Sequence, residues 1–378
     1  MAGIYVHIPF CASRCSYCDF FSTLRLADMG PDYVEAVIAE ARLRRDELRG
    51  SAVSTLYLGG GTPSQLPLRL LRRLIEGLRD AFDLENLEEF TIEANPDDVT
   101  ADWCALMPAL GVNRVSMGVQ SFEDEILRLI GRRHAAAQVV TAVDNLRNVG
   151  ISNISLDLIY GLPGQTLESC SQSVEQAVAL TPRHISAYGL TYEEGTRLWC
   201  QRERGEVVEV PEEQCLMMYR VLVERLRDAG YEHYEISNFA MPGYHSCHNS
   251  SYWNDVPYLG LGASAHSYDG KLRRSNPADL QRYISKVSSG EPACEVEVLS
   301  DSERYDERVM LGLRTSSGVD AEKLRADFGE KVWAHFTREA QRHIDAGNLV
   351  LNDVGHYVLT EDGIMVSDGV MRDLMWDE

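Results

Sequence analysis

Tyr5-Val6-His7-Ile8-Pro9-Phe10-Cys11-Ala12-Ser13-Arg14-Cys15-Ser16-Tyr17-Cys18-Asp19-Phe20 sets an apolar run directly before three cysteines spaced C-x3-C-x2-C. The run reads as a strand, so the thiols fall on the loop that leaves its C-terminal end. Three thiolates on one loop can hold three corners of an iron–sulfur cubane, a cofactor that normally takes four cysteines. Position 20 is Phe and the next cysteine is Cys104, so one iron would be left open for another ligand. The alternative is a zinc knot or a set of buried thiols. A structural zinc site needs four closed ligands, and that count favours the cluster.

Downstream, helical spacing over residues 32–48 is followed by a short β-like run at 54–58 that ends in Gly59-Gly60-Gly61-Thr62-Pro63. The alternation continues with strands at 89–93, 114–117, 154–159 and 184–189, separated by helical patterns at 68–80, 103–110, 124–130, 136–148 and 167–179. Strand starts near positions 4, 54, 89, 114, 154 and 184 are about 25–50 residues apart, the rhythm of βαβ units in a parallel sheet. Right-handed crossovers curl six such units into a partial (β/α)6 barrel, with its chemistry on the loops after the strands. The unusual polar or Gly-rich segments fall on those loops.

The chain of 378 residues carries 36 Lys and Arg against 58 Asp and Glu, a formal net charge of −22. Such an acidic surface repels phosphate backbones, so nucleic acid is not an expected partner. Nine cysteines, an odd number with three clustered, suit a reducing compartment and a metal site better than a disulfide framework. Neither a signal peptide nor a bilayer-spanning apolar run is visible, and a cytoplasmic location is expected.

The rhythm breaks after the sixth strand, which divides the chain into 1–190, 191–300 and 301–378. The middle segment has an amphipathic helix at 212–229, a strand at 231–239 and an irregular aromatic stretch containing His248-Asn249-Ser250-Ser251-Tyr252-Trp253. The last segment reads as helix, helix and a hairpin pairing 349–351 with 357–359, a winged-helix-like α+β module. With 17 acidic and 9 basic residues it is a poor fit to DNA and suits packing or partner docking.

Triple glycine after a strand lets backbone approach a ligand closely. Glu93 at the end of the third strand would face the same cavity, where a buried carboxylate needs a cationic or hydroxyl partner. Asp157 interrupts an apolar strand and likewise needs a reason, either a ligand or a salt bridge with Arg132.

Taken in order, Cys-x3-Cys-x2-Cys-x-Phe, Gly-Gly-Gly-Thr-Pro-Ser, Glu-Ala-Asn-Pro, Gly-Val-Gln-Ser, Asp-Leu-Ile-Tyr-Gly-Leu-Pro-Gly-Gln and His-Asn-Ser-Ser-Tyr-Trp are similar to one branch of the radical S-adenosylmethionine (SAM) superfamily. That branch contains oxygen-independent coproporphyrinogen III oxidases and HemW-type haem chaperones. The resemblance spans nearly the whole chain. It implies a [4Fe–4S] cluster on Cys11, Cys15 and Cys18, whose open iron binds the amino group and carboxylate of SAM. It implies SAM contacts at Tyr5, Tyr17, Gly60, Gly61, Thr62, Glu93, Gln120, Arg132 and Asp157. The oxidases resemble Cys-x3-Cys-x2-Cys-x-Cys and carry a further N-terminal segment, whereas this chain has Phe20 and begins four residues before Tyr5.

The chaperone branch has the His-Asn-x-x-Tyr-Trp element, here His248, Asn249, Tyr252 and Trp253. Imidazole is a common haem ligand and flat aromatics pack on a porphyrin. His248 is the first candidate for contact with haem, with His245, Cys247 and His266 as rivals. The implied function is a haem chaperone that passes haem to acceptor proteins, membrane-associated ones among them. The alternatives are SAM-dependent decarboxylation of coproporphyrinogen III propionates and a zinc-holding structural protein.

Overall fold

The computed structural model describes residues 1–48 and 50–376, which leaves the final two residues of the 301–378 segment outside the description. Strands β1 (Ala2–Ile8), β2 (Val53–Gly60), β3 (Glu89–Ala94), β4 (Arg114–Gln120), β5 (Asn153–Tyr160) and β6 (His184–Gly189) pair in parallel in chain order. Helices α1 (Leu26–Arg44), α2 (Leu68–Ala81), α3 (Ala101–Leu110), α4 (Asp124–Leu129), α5 (Ala136–Asn148) and α6 (Leu167–Ala179) carry the chain back between them. This is the expected six-stranded parallel barrel segment, and it brings every strand's C-terminal end to one face.

The local causes are ordinary. In α2, Leu71, Leu74, Ile75 and Leu78 recur at helical spacing and are all buried. Each contributes roughly 1.5–3 kcal/mol of apolar burial. Thr100 caps α3 by accepting from the Trp103 amide, and Gly111 ends it in the left-handed conformation at φ 86°. Helix α1 starts at Leu26, before the position expected from spacing. Pro31, which lacks the amide that continues a helical ladder, lies inside it.

The sheet does not stop at six strands. After α7 (Arg197–Glu203) and α8 (Glu212–Asp228), β7 (Glu232–Glu235) and β8 (Asn238–Ala240) form a tight antiparallel pair on the edge of β6, where one strand was expected. Helix α9 (Cys247–Trp253) then leads to β9 (Tyr258–Leu261), which runs parallel to β1 with Leu259 opposite Ile4. Strands β10 (His266–Tyr268), β11 (Leu272–Ser275) and, after α10 (Leu280–Ser288), β12 (Glu295–Val298) complete a twelve-stranded sheet. The stretch looked irregular because its strands are only three or four residues long. Gly260 has to be glycine, since a side-chain carbon there would lie 1.9 Å from the His266 carbonyl oxygen.

Helix α1 is tied to these added strands by a buried charge. Glu40 accepts from Arg44 Nη1 at 2.8 Å, Tyr283 OH at 2.6 Å, Asn276 Nδ2 at 2.8 Å and the Gly262 amide at 2.8 Å. Beyond β12 come α11 (Asp301–Leu313), β13 (Val319–Asp320), α12 (Ala321–Asp345, kinked at Gly329), β14 (Leu349–Leu351), β15 (His356–Leu359), α13 (Glu361–Met365) and α14 (Ser367–Leu374). They enclose a separate core that includes Val309, Leu313, Phe336 and Leu374. Ion pairs Arg314–Glu235 at 2.6 Å and Arg308–Asp255 at 2.5 Å hold them to the barrel side. Among the described residues, no helix is long and apolar enough to cross a membrane.

Candidate functional site

A cavity of about 400 Å³ opens at the C-terminal ends of the parallel strands. Cys11, Cys15, Tyr17 and Cys18 line it from the loop after β1, and Gly60, Gly61 and Thr62 from the end of β2. Glu93, Gln120, Arg132, Asp157 and Asn249 line it as well. One space thus gathers residues spread over more than two hundred positions of sequence.

The cysteine loop is zipped to the glycine loop by the backbone. The Gly61 amide donates to Ile8 O at 2.9 Å and the Thr62 amide to Phe10 O at 2.8 Å. Thr62 Oγ1 donates to Cys11 Sγ at 3.3 Å, and Arg132 Nη1 to Cys15 Sγ at 3.4 Å. Burial pushes the Cys11 thiol up and the Cys18 thiol to about 11, and the neighbouring thiols add to both rises. Bound positive charge would reverse the penalty on Cys11 and Cys18. Among the described residues, no three His, Cys, Asp or Glu side chains group tightly enough for a single ion. A cubane asks something different, because each thiolate holds its own iron, and this donor set fits it.

Gly61 explains why the loop can approach so closely. An added side-chain carbon would lie 2.8 Å from the Pro9 carbonyl carbon, 2.9 Å from Ile8 O and 3.1 Å from Cys11 Sγ. Gly61→Ala must therefore push the cysteine loop outward, an overpacking cost of about 1–3 kcal/mol. Chemical denaturation and iron content after reconstitution should both fall relative to the parent chain.

On the floor of the cavity, Tyr57 OH donates to Glu93 Oε1 at 2.7 Å and the Gly60 amide to Oε2 at 3.0 Å. Burial pushes the Glu93 carboxyl up to about 7, with the nearby Asp157 adding to the rise while Tyr57 and Gly60 oppose it. Ser116 Oγ lies 3.2 and 3.3 Å from the two oxygens of Asp157, whose carboxyl burial also pushes up. Arg132 does not form an ion pair with Asp157. Its guanidinium is committed to Cys15 Sγ, Asn95 Oδ1 and Gly118 O. Gln120 sits at φ 68°, in the left-handed region, where β4 slips register against β5. A ligand carrying amine or hydroxyl hydrogens would meet two half-buried carboxylates here, and one bearing a carboxylate would meet Arg132 near the thiols.

Tyr57 was not among the residues singled out from sequence; it reads there as an ordinary strand aromatic. Tyr5 lies beneath the cavity and not on its wall. Its ring is 6.0 Å from that of Tyr57 and 6.5 Å from that of His248, and its hydroxyl is 3.1 Å from His7 Nδ1.

The His248 element forms α9, whose N-terminus is capped by a barrel carboxylate. Glu89 accepts from the Cys247 amide at 2.9 Å and the His248 amide at 3.1 Å. His248 is 1% exposed. Its Nδ1 lies 2.8 Å from Thr55 Oγ1 and its Nε2 2.9 Å from Tyr252 OH, so both ring nitrogens are taken. Burial, with Arg114 nearby, lowers its pKa to about 3 and keeps it neutral. This is the bonding of a core histidine, and a bond from His248 to haem iron would require Thr55 or Tyr252 to give up its ring nitrogen. Asn249 reaches the main cavity, whereas Tyr252 and Trp253 line a second one of about 180 Å³ against α11. His245 stacks on Tyr234 at 4.1 Å and pairs with Glu232, Cys247 is exposed, and neither they nor His266 line either cavity.

Comparison with known proteins agrees with this geometry. Residues 5–177 match the radical SAM superfamily, and residues 299–366 match the HemN C-terminal domain. A heme chaperone HemW from Lactococcus lactis subsp. lactis is 37% identical, covering 99% of this chain and 97% of that protein. One from Bacillus subtilis is 34% identical, covering 98% of each. Coproporphyrinogen III oxidase (HemN) from Escherichia coli has the same fold, with a TM-score of 0.85 over 99% of this chain and 90% of that one at 24% identity. With full-length identity at this level, the chain belongs to the HemW-type haem chaperone family of the radical SAM superfamily.

Proposed function

We propose that this chain is a haem chaperone that binds a [4Fe–4S] cluster through Cys11, Cys15 and Cys18, binds SAM beside it, and delivers haem to acceptor proteins in the cytoplasm or at a membrane surface. The observation that carries the cofactor part is the convergence of the three thiols, Thr62, Glu93, Gln120, Arg132 and Asp157 on one cavity. When bound, a reduced cluster of this kind supplies an electron that can cleave a carbon–sulfur bond of SAM. The chain's own part is to hold the amine end of SAM on Glu93 and the Gly60–Thr62 backbone, to set Arg132 beside Cys15, and to keep water from the cavity. The haem part draws on the relatives named heme chaperone HemW and on Phe20 at the position of the oxidases' fourth cysteine.

Haem contacts belong to the residues that face open space, Asn249 at the main cavity and Tyr252 and Trp253 at the second. In this reading residues 1–190 carry cluster and SAM, 191–300 the haem element, and 301–378 a docking module. The second reading, coproporphyrinogen III oxidation, is favoured by the match to the HemN C-terminal domain.

Haem titration and coproporphyrinogen III turnover, run in parallel on reconstituted protein with SAM and a reductant, separate the two. The chaperone reading expects stoichiometric haem binding, transfer to an apo-haem protein, and no decarboxylated product. Protoporphyrinogen formation would overturn it.

A further inference from the structure

We infer that Tyr57 and His248 are positioning residues for the Glu93 carboxylate, so that the His-Asn-x-x-Tyr-Trp element is built into the floor of the SAM site. The inference rests on the reading of Glu93 as a SAM contact and deepens it.

Four elements meet at this point. The Glu93 carboxylate is fixed at both oxygens, by Tyr57 OH at 2.7 Å and the Gly60 amide at 3.0 Å. Tyr57 can aim its hydroxyl only while its ring is held. His248 holds it from one side, with ring centres 5.1 Å apart and planes 28° from parallel, and Tyr5 at 6.0 Å from another. His248 is itself fixed by Thr55 on β2, by Tyr252 one turn along α9, and by Glu89 at its own amide. The ring packs over Gly3, where an added side-chain carbon would lie only 3.1 and 3.2 Å from the imidazole, so the missing side chain is what lets His248 sit there. His248 therefore acts through Tyr57 on Glu93.

The electrostatics agree in sign. The titratable groups around Glu93 are Tyr5 from β1, Tyr57 from β2, Arg114 from β4, Asp157 from β5, Tyr188 from β6 and Tyr252 from α9. Tyr57 is the side-chain donor that bonds Glu93 directly and lowers its pKa, against the rise caused by burial. Removing that donor must make the carboxylate easier to protonate. Since only the ionised form accepts strongly from SAM, affinity should fall as pH drops through the free carboxyl's value of about 7. In Tyr57→Phe that midpoint should move to higher pH.

The test is SAM affinity measured by equilibrium dialysis on cluster-loaded protein between about pH 6 and 9, with haem affinity in parallel. Tyr57→Phe, which deletes one oxygen and keeps the ring, should weaken SAM binding roughly tenfold near neutral pH and raise the pH midpoint by about one unit. His248→Ala should shift both in the same direction and leave haem affinity within about twofold. His248→Gln, whose amide can still bond Thr55 and Tyr252, should recover part of the loss. Loss of haem affinity in His248→Ala with SAM binding intact would overturn the inference, as would an unmoved pH midpoint in Tyr57→Phe. Glu93→Gln separates the two levels. If it weakens SAM binding while Tyr57→Phe and His248→Ala do not, the positioning role alone fails; if it has no effect, the SAM contact fails and the inference with it.

Discussion

Alanine at Cys11, Cys15 or Cys18 is expected to abolish cluster retention. After anaerobic reconstitution the parent chain should hold about four irons, and each variant close to none. A cubane in this fold has three protein anchors, so losing one leaves an iron with no protein ligand in addition to the one meant to stay open. The remaining thiols lie in a loop whose backbone bonds, Cys11 N to Thr23 O at 3.0 Å and Ser16 N to Ile130 O at 2.9 Å, hold it in place, so no other cysteine can be drawn in. Cys104→Ala and Cys170→Ala supply the contrast. Both cysteines are buried away from the cavity, and iron content should be unchanged. Iron and acid-labile sulfide assays read the result.

Glu40→Ala should cost roughly 3–5 kcal/mol of stability, the usual cost of removing one partner of a buried ion pair. Arg44 and Glu40 are 1% and 0% exposed. Without the carboxylate, Arg44 keeps Glu47 and the Gly260 carbonyl, but Tyr283 OH, Asn276 Nδ2 and the Gly262 amide lose an acceptor. Because those donors lie on or beside the β9–α10 segment, the edge of the sheet next to β1 should loosen first. Urea denaturation gives the magnitude, and hydrogen exchange at residues 258–288 gives the location. A loss below about 1 kcal/mol would mean that the cavity left by alanine admits water, which then serves the stranded donors.

The barrel segment was legible because a parallel strand buried on both faces is a short apolar run, and each run is bounded by an amphipathic helix such as α2 with Leu71, Leu74, Ile75 and Leu78. The cysteine triplet, Gly60–Thr62 and Glu93 stood out for a related reason: polar or glycine residues at the ends of apolar strands conflict with their surroundings unless a ligand answers them. What sequence could not give was decided by contacts between distant residues. The strands beyond β6 are too short to show alternation, and Gly260 reveals its role only once His266 lies across it. Tyr57 is indistinguishable from a core aromatic until Glu93 comes within 2.7 Å. His248 depends on distant residues in the same way. Its motif suggested an open imidazole, while Thr55, almost two hundred residues earlier, occupies one nitrogen and Tyr252 the other.

Electron paramagnetic resonance of the reduced, reconstituted protein titrated with SAM tests whether the three thiolates leave one iron open for SAM. An iron left open by three thiolates and adjoining the Glu93–Asp157 floor should change its spectrum as SAM binds, saturating with SAM occupancy. The change should be weakened in Glu93→Gln and absent in Cys15→Ala. A cluster spectrum indifferent to saturating SAM, or a colourless chain that takes up zinc in place of iron, would contradict the account.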